Sequence, residues 1–274
     1  HMVGNISPAV GATVILDGEP DAYTIVTNAT LGPANRPFVV NGGIWAYDMQ
    51  YASSVQADVT VNGGVLTVAP DSRRFAFYNA GGHASLTLNG GLVADRPETS
   101  WSVRLGNFDG AWATTGCDFT GVQTGGILLV QCGEYLHLGS FVDNKTATYE
   151  LSGGTVYAFG RNTANAVSIG SGTNNSLSAF TLTGSGRLVS SGRIYGNRGE
   201  ASANQVFAFT GGTLATASYD AGNLRPEPGG ARGALFNGGG TLAPGDLGTP
   251  GRTLVTGGYT SAPNAVIALD IGGT

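Results

Sequence analysis

The sequence predicts an all-β fold, a single-domain right-handed parallel β-helix of about eight to nine coils. Three observations lead there. A short phrase built on a glycine pair returns along the chain, apolar and polar residues alternate beside each pair, and no segment combines helix caps with an i, i+4 apolar stripe. The phrase reads VVNGGIWAY from Val39, VTVNGGVLTV from Val59, LTLNGGLVAD from Leu86, YELSGGTVYAF from Tyr149 and FAFTGGTLATA from Phe207.

Aligned on the first glycine, the copies fall at Gly42, Gly63, Gly90, Gly125, Gly153, Gly184, Gly211 and Gly239, separated by 21, 27, 35, 28, 31, 27 and 28 residues. Periods of about 20 to 50 residues belong to solenoids, propellers and arrays. Three residues after that glycine stand Trp45, Leu66, Val93, Leu128, Val156, Leu214 and Leu242, with Leu188 one place later, so this column is apolar throughout. Two before it stand Val40, Val61, Leu88, Leu151, Leu182 and Phe209, and four before it Phe38, Val59, Leu86, Tyr149, Phe180 and Phe207. Thr60, Thr87, Glu150 and Thr181 lie between, which is the period-two pattern of a strand with one buried face. The copy at Gly125 departs, with Gly121, Val122 and Gln123 in those places.

A further strand precedes most copies, seen in FAFYN at 75, VRLGN at 103, LHLGS at 136, VSIGS at 167 and RIYGN at 193. Three short strands per unit, with equivalent residues in columns, is the economy of a β-helix, whose coils stack about 4.8 Å apart. An antiparallel sandwich or a propeller is the rival, since NGG also suits a hairpin, but a blade wants four strands in about 40 to 50 residues. Glycine at the bend serves a left-handed backbone or the close approach of the next coil. Asn41, Asn62 and Asn89 stand where their amides can stack as a ladder. Residues 3–40 are expected to form an N-terminal cap and first coil, and 41–274 one continuous repeat region.

Composition narrows the function classes. Charged residues make up 11% of the 274, glycine numbers 46, and the net charge is −5. The cations are arginines apart from Lys145 and form no run, which argues against nucleic acid as a partner. No stretch approaches the roughly 18 to 20 apolar residues of a membrane span. The chain is expected to be a monomer, without a cofactor or a bound metal, and His83 and His137 read as ordinary surface or turn residues. Cys117 and Cys132 leave two readings, a disulfide of an oxidising compartment or a pair of buried thiols.

The stretch FNGGGTLAPGDLGTPGRTLVTGGYTSAPNAVIALDIGGT, residues 236–274, with FTGGTLATA at 209 and the LSGGTVYAF and LTGSGRLV units, resembles the autotransporter-associated β-strand repeat, the passenger-type solenoid of secreted bacterial surface proteins. The resemblance covers about residues 55–274. It implies a β-helix that is secreted or displayed on the cell surface, in a family of adhesins, stalks and modules of polysaccharide-degrading enzymes, with no shared catalytic motif.

Candidate ligand-binding residues therefore come from the chain itself. Asp95, Glu98, Asp109 and Asp118 form the densest acidic group, close to Arg96 and Arg104 and beside Trp101 and Trp112 on the long segments of the 91–124 unit. Tryptophan and tyrosine offer flat faces for sugar rings, and long loops on a rigid scaffold collect function. Tyr157 sits one place beyond the buried column and is expected to point outward. Trp45 belongs to the buried column itself. The leading expectation is a non-catalytic module that binds extracellular polysaccharide or a cell-surface glycan. A polysaccharide lyase or glycoside hydrolase is the enzymatic alternative, and a stalk fragment of a longer adhesin the structural one.

Overall fold

The computed structural model describes residues 2–3, 12–19, 23–26, 37–47, 58–69, 75–97, 101–106, 116–139, 142–161, 164–170, 175–197, 204–246 and 251–269. These residues form strands and turns with no helix, and the strands pair in parallel. Each coil runs through three faces. One coil, for example, comprises His83–Leu88 on the first sheet, Leu92–Ala94 on the second and Val103–Leu105 on the third. Ten described strands stack as the first sheet. The other sixteen form one continuous hydrogen-bonded sheet, because Arg187–Gly196 and Thr213–Asp220 bend round the edge and serve both remaining faces.

The complete three-strand coils begin at Asp58–Val61, His83–Leu88, Asp118–Gln123, Thr146–Leu151, Leu177–Leu182, Asn204–Phe209 and Ala234–Asn237, and are numbered coils 1 to 7. Seven is fewer than the eight to nine expected. The outermost coils show only two strands among the described residues: Val14–Leu16 with Tyr23–Val26, Pro37–Val40 with Ile44–Tyr47, and Gly258–Ser261 with Val266–Ile267.

Alternation places the core inside this stack. In His83–Leu88, Ala84, Leu86 and Leu88 are buried and the residues between them half-exposed, and the same pattern runs through Leu177–Leu182. Down the C-terminal coils the inward column becomes a stack of rings, Tyr149 on Phe180 at 5.4 Å and Phe180 on Phe207 at 5.8 Å. Trp45 packs only partly against the core, and its indole Nε1 donates to Gly42 O at 2.7 Å.

The two glycines of each pair do different jobs. A Cβ on Gly90 would stand 2.5 Å from Asn62 O of the coil below, so contact with that backbone excludes a side chain. Gly91 takes φ +71°, the left-handed region that turns the chain onto the second sheet. The side chains just outside form the expected ladder. Asn62 donates to Asn41 Oδ1 at 2.9 Å, Asn89 to Asn62 Oδ1 at 2.9 Å, and the Thr124 hydroxyl to Asn89 Oδ1 at 3.0 Å.

The irregular copy at Gly125 is explained one coil further on. A Cβ on Gly121 would lie 2.2 Å from Tyr149 Cδ2, because the tyrosine ring fills that place. Gln123 replaces an inward leucine and is fully buried, yet its Oε1 accepts the Tyr149 hydroxyl at 2.7 Å and its Nε2 donates to Gly126 O and Thr155 O, each at 3.2 Å. Asn237 of coil 7 repeats the device, donating to Gly240 O at 3.0 Å and meeting Tyr259 Oη at 3.3 Å. A polar residue enters this core only with its hydrogen bonds made.

Candidate functional site

The two described acids of the 91–124 unit, Asp95 and Asp118, stand on different faces and do not share one open cleft. Asp95 lies just beyond Leu92–Ala94, at the corner between second and third sheets, and is 1% exposed. Its Oδ1 accepts the Gln131 backbone N–H at 2.7 Å, and burial pushes the carboxyl up to about 6. Arg96 reaches back along the rod, donating from Nε to Val68 O at 2.8 Å and from Nη2 to Tyr23 Oη at 3.0 Å. Asp118 stands on the first sheet instead, paired with Lys145 at 3.2 Å. Trp101 is half-buried just ahead of Val103–Leu105, while Glu98, Asp109 and Trp112 lie outside the described residues.

Arg104 is 8% exposed on the outer face of the third sheet and leads a polar column that the sequence did not announce. In register behind it stand His137, Ser168, Tyr195 and Asp220, one per coil. Arg104 Nε donates to Ser102 Oγ at 2.8 Å, and the Ser102 hydroxyl donates to Glu134 Oε2 at 3.1 Å. His137, far from being a surface or turn residue, is 1% exposed within a strand, with its Nδ1 3.2 Å from Ser168 Oγ. Burial, with Arg104 adjacent, pushes the imidazole down to about 3, so it is held neutral. Tyr135 meets Tyr195 edge-on at 6.3 Å, and the Arg193 guanidinium lies 4.8 Å above the Tyr195 ring.

Cys117 and Cys132 are separate buried thiols. They occupy different corners, Cys117 entering the first-sheet strand of coil 3 and Cys132 leaving its second-sheet strand. The Cys117 thiol donates to Asp118 O at 2.9 Å, and burial pushes it up to about 11. Cys132 is raised further, by burial and then by the charge of Asp95. Neither has the character of a reactive thiolate.

An open cleft lies on the outer face of the second sheet, in the C-terminal half. Tyr157 points outward there as expected and is half-exposed; two residues on, Phe159 lies parallel to it, with centroids 5.9 Å apart and planes at 19°. Beside them is a cavity of about 280 Å³, lined by Phe159, Ser190, Ser191, Thr216, Asp246 and Arg252 among others. Asp246 is fixed by Arg187 Nη2 at 2.5 Å, an ion pair that holds the guanidinium well above its ordinary range. The wall exists because the connection from Thr241–Leu242 to Leu254–Thr256 is the longest of its kind among the described coils. Phe159 was legible as the next outward place after Tyr157. Arg187, Asp246 and Arg252 carry no local signal.

A larger cavity, about 560 Å³, lies on the first sheet over Ala179, Thr181 and Ala208, walled by Pro226, Glu227 and Phe236, which is 40% exposed. Its lining is mostly apolar. The smaller cleft better matches a site where an apolar face and a few placed polar groups act together. Among the described residues no three His, Cys, Asp or Glu gather where they could hold a metal ion, and no helix is long and apolar enough to cross a membrane. Comparison with family models, with curated proteins and with solved structures finds no match for this chain.

Proposed function

We propose that this chain is a secreted or surface-displayed β-solenoid that binds extracellular polysaccharide on the outer face of its second sheet and carries out no reaction there. The observation that carries this reading is the stacked Tyr157–Phe159 pair beside a cleft furnished with serine and threonine hydroxyls and the Arg187–Asp246 ion pair. Sugar rings join an apolar face to a fringe of hydroxyls, and this surface offers a counterpart to both. The repeat's resemblance to autotransporter-associated passenger units supports an extracytoplasmic location. Among the described residues Asp246 is the one carboxylate in the cleft's lining, and it is committed to Arg187, an arrangement that supports binding over the paired carboxyls of acid–base work.

Affinity electrophoresis through gels containing neutral or acidic polysaccharides tests the proposal. Retardation is expected with at least one polymer, and Tyr157→Ala with Phe159→Ala should weaken it about tenfold without moving the unfolding midpoint. Unretarded migration through every gel would sink the binding reading and leave a stalk. Release of reducing or unsaturated ends during incubation would replace it with the enzymatic alternative.

A further inference from the structure

We infer that the polysaccharide is acidic, and that it runs lengthwise over the corner between the second and third sheets, paired with arginines that the coil register brings to one side. This rests on the glycan-binding reading above and adds the charge and the direction of the ligand. Arginines scattered in sequence are gathered by the stack. Of the nine Lys and Arg among the described residues, six (Arg96, Arg104, Arg161, Arg187, Arg193 and Arg252) stand on the second sheet, the third sheet or the corner between them.

Their charges are not equally committed. Arg187 is matched by Asp246 at 2.5 Å and Arg193 by Asp220 at 3.4 Å. Arg161 is exposed, and its Nη1 donates to Pro97 O at 2.6 Å, a carbonyl that orients the guanidinium without neutralising it. Arg252 is exposed and lines the cleft itself. Among the described residues neither has a carboxylate within ion-pair distance. Among the described residues, two positive charges without an ion pair therefore stand on this side, Arg161 two residues beyond Phe159 with its guanidinium turned toward Pro97 of coil 2, and Arg252 in the cavity lining that it shares with Phe159. A guanidinium at such a place suits a carboxylate or sulfate ester, which it meets with two parallel N–H donors.

The length of the cleft argues for a polymer. Its lining comes from four successive coils, Phe159 in coil 4 through Arg252 in coil 7. Three coil steps are about 14 Å of rise, so a chain lying along the rod can meet residues of each of these coils. Acidic sugars repeat their charge along the polymer, so successive units meet successive coils.

The test compares polygalacturonate and alginate with a neutral glucomannan in affinity gels at low and high salt, using the wild-type chain, Tyr157→Ala/Phe159→Ala and Arg161→Gln/Arg252→Gln. The expected result is retardation by an acidic polymer that falls about tenfold on raising salt. The arginine double variant should lose most of that salt-sensitive part, and the aromatic variant should weaken binding at both salts. Equal retardation by glucomannan, or by acidic polymers with no effect of the arginine changes, would overturn this inference while leaving glycan binding in place. Retardation by no polysaccharide would overturn both. Equal retardation by double-stranded DNA would show attraction to charge alone and overturn the acidic-glycan assignment. Unchanged unfolding midpoints for both variants exclude misfolding as the cause.

Discussion

The corner between the first and second sheets and the corner between the second and third are made on opposite plans. At the glycine corner each coil spends few residues and repeats them, Asn62-Gly63-Gly64 beneath Asn89-Gly90-Gly91, with Asn89 N and Leu92 N bonded to Val61 O and Gly64 O of the coil below at 2.9 Å each. At the second corner the described parts of the connections differ from coil to coil. One buries Asp95, another exposes Arg161, and the last runs through Asp246 and Arg252 to wall the cleft. The difference teaches where a solenoid has freedom: stacking contact leaves the glycine corner no space for a side chain, whereas a corner that bulges away from the stack can change without disturbing its neighbours.

The largest effect should come from filling the tight corner. Gly91→Val places a branched side chain at φ +71° with its Cβ 2.5 Å from Gly64 O, and should cost about 3 kcal/mol or more in urea unfolding. Ser191→Val, at the exposed second corner, should stay within about 0.5 kcal/mol. Comparable losses at the two sites would break the contrast.

Next comes the buried carboxyl of the second corner. The folded chain holds the Asp95 proton more tightly than the unfolded chain, about 6 against 3.8, so this group's contribution is fully present below pH 3.8 and fades as pH rises through 6. Two pH units correspond to about 3 kcal/mol. His137 works in the opposite sense, since its lowered value means that stability is lost as pH falls from 6.5 toward 3. The two slopes oppose each other between pH 4 and 6. Asp95→Asn should remove one of them, making stability rise more steeply with pH across that window; unfolding midpoints measured at several pH values check this.

A smaller loss is expected inside the core. Tyr149→Phe leaves Gln123 Oε1 buried without its 2.7 Å donor and should cost about 1 to 3 kcal/mol. Adding Gln123→Leu should recover much of it, a coupling that a double-mutant cycle measures and that independent sites would not show. The smallest effect belongs to the ladder. Asn62→Ala removes two exposed amide hydrogen bonds and should shift stability by about 0.5 to 1 kcal/mol in the same unfolding assay.

Much of this was legible because it is local. Leu86, Thr87, Leu88, Asn89, Gly90 and Gly91 each take the place their own chemistry requires, inward, outward, at the ladder or at the bend. What was missed depends on the neighbour one coil away. Gly121 and Gln123 read as defects until Tyr149, roughly a coil later in sequence, fills the space of one and satisfies the other. His137 has the setting of a surface residue in LHLGS, and only the Arg104 and Ser168 strands on either side enclose it. The site divides in the same way: Tyr157 was readable from its place in the period, whereas the pairing of Arg187 with Asp246 spans 59 positions.

By itself the sequence determined the kind of object this is, because a strand's two faces and a glycine's missing side chain are written residue by residue. The tertiary structure alone decided which charges meet and which stay free. Stacking brings residues a coil apart into contact, and the long last connection sets Arg252 in the wall of the cleft, so six of the nine described cations, scattered along the chain, share one side of the rod.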